Sequence, residues 1–581
     1  MAIPLQQYGS LLANYLKPQW QRVLGLAIAL LGSIVLQIVN PQILGYFIDT
    51  AASGGSPQAL LTATIAFTTI ALLTQVAAIA ATYLGEIVAW SATNALRIDL
   101  AARCLQLDLS FHKAHTPGEL LERIDGDVNL LSRFFSQLVI HVLGNGVLLI
   151  GILIVLCFEN PLAGLSLTIF ALMALSLLLG QQRMAIAPWA EYRQIGAEFY
   201  GTIGEHVAGR EDLRANGAVG YAMHRFFHLL QRWLPVYQQA RFASTVLWFT
   251  SVGLFTVGNA IALAISAYLW SQNAITIGTA YLIFHYANLL AQPIELIREE
   301  LEQLQQVEAS VHRIGELFHL QSAIEDRGQA VLPMGACDVA FDRVCFRYET
   351  DNDAAWTLDR VSFSLPAGRV LGLLGRTGSG KSTIARLLLR LYDIQSGAIR
   401  IGERAIADIP LAELRQHVGL VTQDVQLFQA TVRDNLTFFD AGISDARILE
   451  ILEELKLGEW LRSLSDGLNT QLGSDSSGLS AGQAQLLALV RVFLKNPGLV
   501  ILDEASSRLD PQTEVLLEGA ISRLLVNRTA IVIAHRLQTL HRADQILILD
   551  RGQVLEYGDL ATLAERSNSR FARLLEANRV E

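Results

Sequence analysis

The chain has 581 residues, of which 52% are hydrophobic and only 17% charged, against about a quarter charged in an ordinary soluble domain. A chain this apolar is neither disordered nor a nucleic-acid coat, and a formal net charge of −10 lacks the basic surface a nucleic acid wants. The length suits roughly three to five domains. The four cysteines (Cys104, Cys157, Cys337, Cys345) are too few for a disulfide framework, and Cys337 and Cys345 have no second pair or histidine cluster to complete a metal site.

The charge deficit is uneven. Residues 1–333 hold 17 Lys/Arg and 22 Asp/Glu, near 12%, while residues 334–581 hold 27 and 32, near 24%. In chain order, Met1–Trp20 comes first. It lacks the positive start and small-residue cleavage site of a signal peptide, and Leu5, Tyr8, Leu11, Leu12, Tyr15 and Leu16 recur at helical spacing, so residues 1–20 read as an interfacial helix. Uncharged windows follow at Val23–Ile48 (26 residues), Ala51–Gly85 (35), Phe134–Phe158 (25), Asn160–Gln182 (23) and Phe242–Ile294 (53). A bilayer crossing needs about 20 apolar residues, and the last window is long enough for two around a polar turn near Ser271–Gly278. Six transmembrane helices are expected within residues 21–320.

The connections after the second and fourth spans carry the basic residues, among them Arg97, Arg103, Lys113, Arg123, Arg183, Arg193, Arg210 and Arg214, whereas those after the first, third and fifth carry none. The positive-inside rule puts both chain ends in the cytoplasm. The inner stretches, about 86–133 and 183–241, read as helices extending the spans beyond the bilayer. The sixth span runs into a charged helix, Glu295–Glu316, and residues 321–334 read as a linker to a second domain over 335–581.

That domain carries Gly375-Arg376-Thr377-Gly378-Ser379-Gly380-Lys381-Ser382, a match to G-x-x-x-x-G-K-[ST]. The apolar run Val370–Leu374 reads as a strand and Thr383–Tyr392 as a helix, the context this phosphate-cradling loop requires. Its glycines turn backbone N–H groups toward phosphate, and the helix N-terminus adds positive potential. Lys381 can reach the β- and γ-phosphates, and the Ser382 hydroxyl can ligate Mg²⁺. Leu499–Leu502 reads as a buried strand ending in Asp503 and Glu504. Asp503 is placed for the Mg²⁺ shell and Glu504 to polarise a water for attack on the γ-phosphate.

At this point the residues resemble the ATP-binding cassette (ABC) transporters. Leu479-Ser480-Ala481-Gly482-Gln483 looks like that family's signature, Gln423 like its Q-loop, Ser507–Asp510 like its D-loop, His535 like its switch histidine and Tyr348 like its adenine-stacking aromatic. The order holds through residues 335–560. Ser110–Arg123 and Gly209–Phe227 are similar to the two inner loops of the exporter branch, which in that family press on the nucleotide domain. The resemblance implies a membrane all-α domain of six transmembrane helices with long cytoplasmic extensions, followed by an α/β P-loop NTPase domain. It implies ATP and Mg²⁺ as ligands, with Gln423 joining Ser382 and Asp503 at the metal, and Thr383 and Asp510 lining the nucleotide. Glu504, His535 and Lys381 would carry hydrolysis.

One chain supplies six spans and one cassette, so a second half-transporter, identical or related, is implied. Each signature (Ser480 to Gln483) would meet the γ-phosphate held by the partner. An exporter in the plasma (inner) membrane with its cassette in the cytoplasm is expected; the alternative is an ATP-sensing regulatory or partner half of a heterodimer. The intact Glu504 favours hydrolysis. Three departures stand out: Leu472–Gly478 lacks the usual acidic-then-basic run, Ala481 replaces a glycine, and Ala484-Gln485-Leu486 lacks two arginines. The spans hold Gln37, Asn40, Gln75, His141, Asn145, Asn259, His285, Asn288 and Gln292 but no mid-span charge. An apolar or amphipathic substrate (lipid, drug or peptide) is therefore expected, with His285 a candidate for its path.

Overall fold

The computed structural model describes residues 13–348, 355–473, 479–503, 511–534, 537–566 and 568–579. Long apolar runs can satisfy their backbone groups internally as helices, and the described part of the chain up to residue 320 consists of helices joined by short turns. In order these are α1 (Trp20–Ala52), α2 (Pro57–Gln106), α3 (Leu109–Ala114), α4 (Pro117–Leu121), α5 (Asp127–Gln137), α6 (Asn145–Glu159), α7 (Pro161–Ala208), α8 (Arg210–Ala215), α9 (Val219–Ser271), α10 (Ile277–Leu289) and α11 (Ala291–His319). Among the described residues, five helices are individually long and apolar enough to cross a bilayer: Ala13–Ala52, Pro57–Gln106, Ile140–Glu159, Pro161–Ala208 and Val219–Ser271. The sixth expected span falls on α10 and the start of α11, which part at Leu290; α10 alone, at 13 residues, is too short.

The breaks have local causes. The side chain of Asn160 accepts the N–H groups of Leu162 and Ala163 and starts α7, and Thr276 caps α10 through the N–H of Thr279. The first inner stretch breaks where Asp108 caps α3 and Thr116 caps α4. The second breaks around Gly209 and Gly217, the latter at φ +65°. Of the N-terminal stretch, residues 1–12 lie outside the described residues, and Ala13–Leu16 are helical and lead through a tight turn into α1.

The chain forms two compact units: one of the residues up to Gln106 with Thr116–Leu320, the other of Leu107–His115 with the residues from Gln321 onward. The first is held by an apolar centre including Ile34, Ile152, Leu156, Leu167, Ile283 and Tyr286. Tyr286 donates its buried hydroxyl to the Ile38 carbonyl at 2.7 Å, and Asn259 donates to Asn288 at 2.8 Å. At one end α1 and α10 touch backbone to backbone. A Cβ on Gly278 would lie 2.3 Å from the Gly45 carbonyl, and Asp49 accepts both the Gly278 N–H and the Thr276 hydroxyl at 2.7 Å. His285 stacks on Tyr281 with centroids 5.6 Å apart.

The second unit is α/β. Strands β3 (Val370–Gly375), β6 (Val418–Val421), β9 (Leu499–Asp503), β10 (Thr529–Ile533), β11 (Gln545–Asp550) and β12 (Gln553–Asp559) form one sheet in the order β12-β11-β3-β10-β9-β6. All neighbours are parallel except β11–β12. The central strands are continuous apolar runs because both faces are covered, as parallel sheets require. Strands β1 (Val339–Phe346), β2 (Leu358–Leu365), β4 (Ser396–Ile401) and β5 (Arg404–Ala405) form a separate antiparallel sheet, and β7 (Ala430–Thr431) pairs with β8 (Gln471–Leu472). Helices α12 (Lys381–Leu388), α13 (Leu411–His417), α14 (Val432–Thr437), α15 (Asp445–Glu454), α16 (Gly458–Ser463), α17 (Ala481–Lys495), α18 (Pro511–Leu524), α19 (Leu560–Glu565) and α20 (Arg570–Arg579) complete it. Helices α14 to α18 share an apolar core that includes Leu436, Ile451, Leu461, Leu489 and Leu517 and takes in Val421, Val500, Leu502 and Ala530 of the six-stranded sheet.

Candidate nucleotide-binding site

Ligands of an open parallel sheet bind beyond the carboxyl ends of its strands. The register aligns those ends: Ile533 pairs with both Leu373 and Asp503, and Val421 pairs with Leu502. The phosphate loop after β3, Asp503 at the tip of β9 and Gln423 after β6 therefore share one rim. His535 lies two residues past β10, and it, Glu504 and Asp510 lie outside the described residues.

The phosphate loop needs its glycines. Gly375, Gly378 and Gly380 have φ of +154°, +82° and +105°. A Cβ on Gly375 would meet the Leu549 carbonyl at 2.4 Å, and one on Gly380 the Leu358 side chain at 2.6 Å. Lys381 is buried and donates to the loop carbonyls of Gly375 at 2.7 Å and Arg376 at 3.1 Å. The Ser379 hydroxyl is buried and has no hydrogen-bond partner among the described residues, an orphan polar group inside the loop. Lys381 and Ser382 begin α12, whose N-terminus thus opens on the loop, and Thr383 follows, buried. Thr377 and Gly378 form the loop's turn, and the Ser379 N–H donates to the Arg376 carbonyl at 3.1 Å to close it. This cradle fits an anion.

Tyr348 is tied to the same helix: its hydroxyl lies 3.0 Å from Thr383 Oγ1 and accepts from Arg386 at 3.0 Å. No sequence motif announces this bond. The signature segment caps α17. Ser480 accepts the Gln483 N–H at 3.2 Å while the Gln483 side chain accepts the Ser480 N–H at 2.9 Å, a reciprocal capping box. Ala481 and Gly482 form the first turn behind it.

The missing arginines after the signature have a packing explanation. Ala484 and Leu486 are buried in the core of the helical part. Between them, the buried Gln485 donates to the Gln423 carbonyl at 2.7 Å and the Thr422 carbonyl at 3.4 Å, tying the signature helix to the turn after β6. Sequence reasoning passed over Gln485 because a polar residue on a helix reads as solvated. The available signal was its place among residues that line one apolar core. Nearby, Arg491 donates to the carbonyls of Asn435 and Gln426 and lies 4.6 Å from the Phe438 ring centroid, and burial lowers its guanidinium to about 10. It lines a cleft of about 830 Å³ with Arg415, Asp424, Phe428 and Lys495.

Comparison with known proteins agrees with this architecture. A family model for the ABC transporter transmembrane region matches residues 23–294, and one described as ABC transporter matches residues 358–507. An ABC transporter ATP-binding protein of Bacillus subtilis, YknV, is 30% identical over 560 residues, covering 94% of this chain and 91% of its own.

The chain belongs to the ABC transporter family.

An ATP-dependent lipid A-core flippase of Chromobacterium violaceum is 30% identical over 576 residues, covering 97% of this chain and 96% of its own. A solved bacterial Atm1-family ABC exporter with ATP bound is 25% identical, with a TM-score of 0.82 over 97% of this chain and 98% of that one. This ABC exporter is thus a multi-pass membrane protein that binds ATP and couples its hydrolysis to transport. It is a half-transporter, with one membrane region and one cassette, and half-transporters of this build generally dimerise.

Proposed function

We propose that this protein moves a hydrophobic or amphipathic substrate (a lipid, drug or peptide) out of the cytoplasm by alternating access, working as a dimer in the plasma (inner) membrane. Both chain ends and the cassette face the cytoplasm. The observation that carries the substrate class is the lack of any Asp, Glu, Lys or Arg within the uncharged windows, which leaves a charged cargo without a partner. The full-length likeness to a lipid A-core flippase supports the same reading.

Two cassettes enclose two ATP molecules. One chain holds the triphosphate on Gly375, Arg376, Thr377, Gly378, Ser379, Gly380, Lys381, Ser382 and Thr383, with the base on Tyr348. The other presents the N-terminus of α17, residues Ser480 to Gln483, to the γ-phosphate, with Asp510 at the dimer seam. The oxygen-bearing side chains of Ser382, Gln423 and Asp503 suit Mg²⁺, which would neutralise charge on the β- and γ-phosphates. Glu504 takes a proton from water as the water oxygen bonds to the γ-phosphorus. The bond from that phosphorus to the β,γ-bridging oxygen breaks, and ADP and phosphate leave. Lys381 offsets the charge gathering on the phosphoryl oxygens, and His535 holds the γ-phosphate in line. Driving a two-state protein from 1:99 to 99:1 takes about 5.5 kcal/mol of differential binding, and ATP supplies it by bridging the cassettes only when they are closed.

The test is ATPase stimulation of the purified chain across lipids, drugs and hydrophobic peptides. Stimulation by one such class is expected. Stimulation only by charged, water-soluble compounds contradicts the substrate reading, and activity only on adding a second half-transporter identifies a heterodimer.

A further inference from the structure

Lys113 is one of five lysines in the chain and stands near the end of α3, in the first inner loop. The segment Leu107–His115 packs as part of the nucleotide-binding unit. Asp108 anchors it, accepting the N–H groups of Ser110 at 2.9 Å, Phe111 at 3.1 Å and Ala323 at 2.6 Å. From this anchored turn the Lys113 ammonium reaches the Tyr348 ring, with Nζ 4.6 Å from the ring centroid.

The ring is held in place. Its hydroxyl is bonded to Thr383 and Arg386, each at 3.0 Å. The rings of Phe346 and Tyr392 stand at 85° to it with centroids 4.9 and 5.1 Å away. Both belong to the buried core, so the side of Tyr348 toward them is closed. A pinned ring cannot turn to offer another surface. An ammonium over an aromatic face draws on the same π density that a stacked base uses.

We propose that Lys113 and the adenine of ATP compete for one face of Tyr348, so that nucleotide entry displaces the inner-loop lysine. This rests on the reading of Tyr348 as the base platform. Lys113 is then a positioning residue that sets the apparent affinity for nucleotide through Tyr348. Because α3 follows directly on the 50-residue helix α2, the first inner loop senses whether the base site is filled before any hydrolysis occurs.

The experiment compares ATPase kinetics of the full-length native chain, K113M, K113R and Y348A, with tripolyphosphate as an inhibitor that has no base. K113M keeps the aliphatic stem and removes the cation. It should lower KM for ATP about two- to fivefold, the range of an exposed cation–π contact, with a smaller change in kcat. The inhibition constant of tripolyphosphate should stay at the native value, and K113R should return KM toward it. An unchanged or raised KM in K113M, or an equal shift for tripolyphosphate, overturns the proposal. Y348A separates the two readings. A raised KM in Y348A with a native KM in K113M removes the competition alone, whereas a native KM in Y348A removes the base platform and the competition together.

Discussion

The two units place the same residue types in opposite ways. In the membrane unit Ile65, Leu72, Ile79 and Ile169 are all more than half exposed, on helices whose outward faces would meet lipid. In the cassette Leu371, Ile501, Ile531 and Leu547 are fully buried, in one core with strands of the smaller sheet. Chemistry is likewise divided. The cassette gathers its polar groups at one sheet rim by register, whereas the described polar groups of the membrane unit mostly bond to one another or to nearby carbonyls. A phosphate site built from backbone amides and one lysine is therefore recognisable as a motif. Apolar side chains facing a bilayer carry no such motif.

The largest expected effect lies in the cassette. Glu504→Gln should cut ATP turnover about a hundred- to ten-thousandfold while trapping an ATP-bound closed dimer, as judged by phosphate release and crosslinking. Turnover near the native rate would remove Glu504 as the base. The next effect contrasts the units directly. Ile501→Ala, which empties a fully buried strand position, should cost about 2–5 kcal/mol of stability, while Leu72→Ala on an exposed face should stay within about 0.5 kcal/mol. Thermal unfolding in one detergent measures both, and equal losses would mean that the Leu72 face is packed rather than lipid-facing.

These contrasts bear on what was readable in the chain. Charge-free windows located the long helices because a bilayer demands length and excludes charge. The sixth was harder, since its structure divides at Leu290 into a short apolar helix and a charged one. The phosphate loop and the Asp503 strand were legible because positive-φ glycines and a doubly buried strand each leave a compositional mark. Gln485 left only its place between apolar residues, and the Tyr348–Thr383 bond left no mark. They join residues 62 and 35 positions apart, and only folding brings such pairs together. Glu504, Asp510 and His535 rest on sequence order alone.

Smaller effects sharpen the comparison further. Gln485→Leu removes the donor to the Gln423 and Thr422 carbonyls and should cost about 1–3 kcal/mol, with a fall in kcat that Ala484→Ser does not share. Ser480→Ala opens the capping box and should cost about 1 kcal/mol by thermal unfolding, with Ser480→Thr retaining most of it.

The smallest effect depends on pH. Burial pushes the Asp108 carboxyl up, but the N–H groups of Ala323, Phe111 and Ser110 outweigh it and hold the group below the usual aspartate value. A depressed carboxylate contributes stability above its ordinary pKa, near 3.9, and loses it as pH falls through the lowered value. Hydrogen exchange at Phe111 and Ala323, corrected for its intrinsic pH dependence, should thus stay protected from neutral pH down to about the ordinary aspartate value and open below it. Asp108→Asn should flatten that profile; an identical profile in the variant would show that the carboxylate does not anchor the loop.

On the proposed function, hydrolysis in the cassette moves an apolar or amphipathic cargo through the membrane unit. ATP-dependent translocation of a labelled lipid or amphipath in vesicles reconstituted with the native chain or Glu504→Gln, with a partner half-transporter where one is required, tests it most directly. Translocation by the native chain and none by the variant is the expected result. Equal translocation by both, or rapid ATP turnover with no cargo moved across the lipid, drug and peptide panel, would contradict it.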